Sequence, residues 1–81
     1  MSYPHTYIRL TDNERKEVIF YLQRLAVTHQ WRVRKRVQAI YFSDQGLTIY
    51  EISKRLAVTD RSVRRWFALY RCNGIKGLLE H

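Results

Sequence analysis

The stretch Thr48–Arg71 constrains the fold more than any other part of this chain. Thr48-Ile49-Tyr50-Glu51 is a capping box, in which the threonine hydroxyl accepts from the Glu51 N–H and the glutamate reaches back to the Thr48 N–H. Thr59 supplies a second N-cap shortly afterwards. A short helix ending near Leu56 is therefore followed, across Ala57-Val58, by a helix that runs to about Asn73 and stops at Gly74. Two short helices joined so tightly must cross at a sharp angle, which is the geometry of a helix-turn-helix.

Side-chain sizes agree with that geometry. Ser53 is small enough for the crossing point, and Ile49, Ile52 and Leu56 face inward from the first helix of the pair. Val58 plugs the turn. Val63 and Trp66 face back from the second helix, with Phe67 and Tyr70 extending the stripe. Ala57 stands where glycine is usual, so a left-handed backbone there costs about 1 kcal/mol, a cost that other turn geometries avoid.

Two further helices precede the pair. Thr11-Asp12-Asn13-Glu14 is another capping box, followed by Val18, Leu22 and Leu25 at helical spacing with Ile19 and Ala26 alongside. Phe20 falls on the opposite side and reads as a lone exposed aromatic. The next helix spans about 28 or 30 to Asp44, with Gly46 as its stop. Val33, Val37 and Ile40 form one apolar stripe, and Trp31, Ala39 and Phe42 lie across from it, so this helix should be packed between neighbours. The fold expected is all-α, a four-helix homeodomain-like bundle over residues 11–78, behind an N-terminal arm of residues 1–10 that contains Pro4. Ile75–Leu78 is expected to leave as a loop or linker, and Leu79-Glu80-His81 reads as the remnant of a vector-derived tag.

Fifteen basic residues against seven acidic ones give a net charge of +8, a strong field for one small domain, and its natural partner is a polyanion. No apolar run approaches the roughly 18 residues needed to span a bilayer, and Met1–Leu10 carries no secretory pattern, so a cytoplasmic location without membrane attachment is expected. Cys72 is the single cysteine and reads as an inert thiol; His5, His29 and His81 are far apart, and His29 reads as a surface residue at a helix start. No metal and no cofactor is expected. The acidic residues form no paired or metal-binding constellation, which argues against an enzyme.

The outer face of the last helix carries the expected chemistry. At 100° per residue, Arg61, Arg64, Arg65 and Ala68 share the side opposite Val63, Trp66 and Tyr70. Such a slim, donor-rich helix fits a major groove, where arginine binds guanine O6 and N7 with two hydrogen bonds. Thr59, Asp60, Arg61, Arg64 and Arg65 are the candidate base-reading residues; an ordinary solvated face is the rival reading of the arginines. Asp60 either accepts from cytosine N4 or simply favours the helix dipole. Thr48, Tyr50 and Lys54 are candidate phosphate contacts, as are Arg34 and Lys35 from the cluster Arg32–Arg36, for which a solvated face is an equal alternative.

Together, Arg34–Gly46, Thr48–Tyr70 (with EISKRLAVTDRSVRRWFALY) and the closing GIKGL resemble the N-terminal domain of mariner-like bacterial insertion-sequence transposases, and LTDNERKEV resembles that family's first helix. The resemblance covers about residues 10–78. It implies a domain that binds the terminal inverted repeats of a mobile element, with Thr59–Arg65 on the base-reading helix. The family's acidic catalytic domain is not within these residues, so the chain corresponds to a fragment, a remnant or a stand-alone DNA binder. Double-stranded DNA is the expected partner. A transcriptional regulator or antitoxin is the alternative, and a basic protein-interaction module, supported by Phe20 and Arg32–Arg36, is a further one. The sequence leaves the oligomeric state open, with a monomer expected for the isolated domain.

Overall fold

A computed structural model describes residues 7–80. Pro4, His5 and His81, with the first part of the expected arm, lie outside the described residues. Five helices follow in order: α1 Asp12–Val27, α2 Trp31–Asp44, α3 Ile49–Leu56, α4 Asp60–Asn73 and α5 Ile75–Leu79.

The capping signals work as the sequence implies. Thr11 accepts from the Glu14 N–H and Glu14 returns to the Thr11 N–H, and Thr48 and Glu51 do the same for α3. Thr59 accepts from the Ser62 N–H at the start of α4. Gly74 ends α4 with φ at +67°, a conformation glycine adopts without a Cβ penalty. Ala57 does take the left-handed conformation, with φ 57° and ψ 48°. In it the Val58 N–H donates to the Ser53 carbonyl at 3.0 Å, which closes the turn between α3 and α4. The sharp crossing is thus kept at a cost of about 1 kcal/mol in backbone strain.

The α2 helix is central, packing against α1, α3, α4 and α5. Val37, Ala39 and Ile40 are fully buried along a wide arc of it, which explains an apolar pattern on more than one face. Trp31 departs from that pattern and is 53% exposed at the start of the helix. His29 sits not at a helix start but in the α1–α2 turn, with φ at +59°. The Gln30 N–H donates to the Leu25 carbonyl across it, so the position is set by the end of α1.

Ile75–Leu78 is not a loop or linker. It forms α5, and Ile75, Gly77 and Leu78 are buried on α2 and α4. Gly77 has the reason in its missing side chain: a Cβ there would stand 2.7 Å from the Leu69 carbonyl oxygen. Arg36 of α2 donates to the Leu78 carbonyl at 3.0 Å and closes the C-terminal end onto the bundle. The four-helix expectation therefore becomes five. Leu79, assigned to a tag remnant, is the last residue of α5 and packs against the core.

At the other end, Ile8 and Leu10 are buried rather than trailing in an arm. The Ile8 N–H donates to the Ser43 hydroxyl at 2.6 Å and the Leu10 N–H to Asp44 at 2.9 Å. Asp44 also accepts from Arg15 Nε at 2.7 Å. Those hydrogen bonds from Arg15 hold its carboxyl below the usual carboxylate range, against the opposing cost of burial and with help from the Leu10 N–H.

Candidate nucleic-acid interface

Of the side chains of α4, Val63, Phe67 and Tyr70 turn inward. Arg61, Arg64, Arg65 and Ala68 are all exposed. None of the three arginines has a hydrogen bond, ion pair or ring contact with another described residue. Three guanidinium groups, each with five donors and a permanent charge, thus stand in water on one exposed side of one helix. Ala68 keeps the middle of that surface low. Asp60 is exposed in the first turn, where its charge complements the helix N-terminus.

The indole of Trp66 is not a dry core residue, as the inward stripe implied. It is half-buried against the core, while Phe67, 2% exposed, fills the position behind the arginines. The reason is helical phase: residues 63, 67 and 70 centre the buried arc, and position 66 falls at its edge. There Trp66 lines a cleft of about 200 Å³ together with Arg36, Ser62, Arg65 and Leu69. Of the residues around that cleft, two are arginines, one is a serine and none is acidic. Ser62 Oγ already accepts from the Thr59 hydroxyl at 3.1 Å, which leaves the serine's own proton available as a donor. A cleft with donors and no acid suits an anion. Sequence periodicity did not single out Arg36 and Ser62 as partners, because they come together from different helices.

The other candidates fall in separate places. Tyr50 is 62% exposed on α3, and Lys54 Nζ lies 5.3 Å from its ring centroid, so these two form one cationic-aromatic pair. The exposed Thr48 uses its oxygen as an acceptor in the capping box and keeps a hydroxyl proton. Thr59 gives its proton to Ser62, so its main role is the cap. Arg34 is tied elsewhere, with Nε donating to the Leu22 carbonyl at 2.8 Å near the end of α1. Lys35 is half-buried on α2. Cys72 is exposed on α4.

A small helical core, a tight left-handed turn and an unpaired cationic helix face define a helix-turn-helix domain of the kind that binds DNA. The chain belongs to the homeodomain-like family, whose model matches residues 30–79. No curated protein and no solved structure matches the chain. Among the described residues no helix is long and apolar enough to cross a membrane.

Proposed function

We propose that the chain binds double-stranded DNA in a sequence-specific way by laying α4 in the major groove, as the end-recognition domain of a mariner-like transposase. The observation that carries the DNA reading is the exposed trio Arg61, Arg64 and Arg65, without partners among the described residues and backed by buried Val63 and Phe67. Unpaired guanidiniums are free to bind guanine edges in pairs of hydrogen bonds. Thr59 and Asp60 open the same helix and approach the bases with its first turn. Thr48, Tyr50 and Lys54 on α3 take phosphates beside it, and Lys35 and Arg34 on α2 extend the positive field. The cleft of Arg36, Ser62, Arg65 and Trp66 is a further seat for a backbone phosphate on the other flank of α4. Phosphate contacts of this kind set register, and the arginines set sequence preference. The transposase assignment rests on the likeness of Thr48–Tyr70 and GIKGL to that family's N-terminal domain.

Selection of binding sites from random duplexes tests this reading. Arg61→Ala and Arg65→Ala should each relax preference for one guanine, losing about 1–3 kcal/mol of discrimination. With roughly six phosphates engaged, log affinity should fall against log salt with a slope of about −5. A slope near zero on duplex DNA points instead to a basic protein-interaction module. Unchanged specificity in both variants removes α4 as the reader. A selected site that occurs as inverted repeats flanking the source gene supports the transposase assignment, and a site in the gene's own promoter supports a regulator.

A further inference from the structure

The homeodomain-like match begins at Gln30, so α1 lies outside it, and α1 does not present an ordinary solvated face. Phe20 is 55% exposed and Val27 77%, and together with Gln23, Arg24 and Thr28 they border an open apolar cleft. Phe20 is not free to collapse, because Tyr21 packs edge-on against it at 5.2 Å between ring centroids. Its apolar surface is therefore held out in advance of any partner, which lowers the ordering cost of covering it.

Charge indicates which partner. The α1 helix holds three acidic residues (Asp12, Glu14, Glu17) and three basic ones (Arg15, Lys16, Arg24), so the whole net charge of +8 lies outside it. It is the one helix along which a second copy of so basic a chain can approach without repulsion. The pattern is also self-complementary. Glu17 and Arg24 are both exposed, and two turns of helix bring them within about 20° of each other on one flank of Phe20. The Arg24 side chain is engaged with no other described residue, and Glu17 makes no hydrogen bond or ion pair there, although its charge is felt by Tyr70. A second α1 running antiparallel about an axis near Phe20 sets Glu17 opposite the Arg24 of the second copy, and twofold symmetry repeats the pair.

We propose that α1 is a self-association face and that the chain forms an antiparallel α1–α1 dimer centred on Phe20. A helix of this length, about 24 Å, buries less than the roughly 800 Å² per partner of a standard stable interface. The dimer is accordingly weak and concentration-dependent, and two half-sites on DNA would strengthen it by tethering.

Sedimentation equilibrium without DNA tests this separately from any DNA reading. Between about 1 μM and about 1 mM, a range that brackets weak pairing, the average mass should rise from 9.9 kDa toward twice that value. Phe20→Asp should hold it at the monomer mass, with an unchanged far-UV spectrum because Phe20 is largely in water. Arg24→Glu alone should weaken association about tenfold by setting like charges together, and Glu17→Arg added to it in the same chain should restore it. A wild-type chain that stays monomeric at the top of the range overturns the proposal and leaves the face to another protein. Association that ignores Phe20→Asp, or that the double exchange does not rescue, overturns it too.

Discussion

Phe67 and Trp66 are neighbours with different tasks. Periodicity gave both to the core, because a helical stripe wide enough to include Val63 and Tyr70 has room for two aromatics. Packing separates them: Phe67 is enclosed, and Trp66 forms one wall of the donor-lined cleft beside Arg65. Phe67→Ala should cost about 3–5 kcal/mol in chemical denaturation, the loss typical of a buried aromatic. Trp66→Ala should cost clearly less and should weaken DNA binding more than its stability loss explains. Equal destabilisation by the two variants would return Trp66 to the interior. Arg61, Arg64 and Arg65 were readable in advance, since exposure on a helix follows directly from spacing. The meeting of Arg36 with Ser62 was not, because the cleft they share depends on how α2 meets α4.

At the level of elements, α5 shows where local signals run out. Ile75–Leu79 is too short to be stable as an isolated helix, and a glycine in its middle opposes it further. Burial makes it helical: Leu78 is fully enclosed, and Gly77 lets the segment press against the α4 backbone. Leu78→Ala should therefore destabilise the whole domain by about 2–5 kcal/mol, read as a lower denaturation midpoint in a single transition. A change below about 0.5 kcal/mol, the scale of surface substitutions, would mean that α5 is a loose appendage. The α3–α4 pair is the opposite case. Its caps lie in the sequence, and its inward residues Ile52, Leu56 and Val63 are all buried as their spacing requires.

Across the whole molecule, two titrating groups bracket the stability of the fold. Asp44, held low by Arg15, gives up its contribution as pH falls below 3.8 and through its depressed folded value. Tyr70 behaves in the reverse sense. Burial, reinforced by Glu14, Glu17 and Asp44, pushes its phenol up to about 12, so its contribution is complete below pH 10 and fades between there and about 12. Thermal unfolding followed by circular dichroism should show a plateau with an acid and an alkaline shoulder. Asp44→Asn should flatten the acid shoulder and Tyr70→Phe the alkaline one. Shoulders that persist unchanged in these variants would assign the titration to other groups.

Helix starts, helix stops, the inward stripe and the cationic outer face all depend on residues within a few turns of one another, so one chain read in order suffices to place them. Thr48, Thr59, Gly74 and the three arginines belong to this local set. The anchoring of Ile8 and Leu10 on Ser43 and Asp44, the closure of α5 onto α2 through Arg36 and the Arg36 cleft depend on groups more than 20 residues apart, brought together only when α2 is enclosed. Local periodicity carries no information about such meetings, because their free energy comes from burial and desolvation between helices rather than from spacing within one.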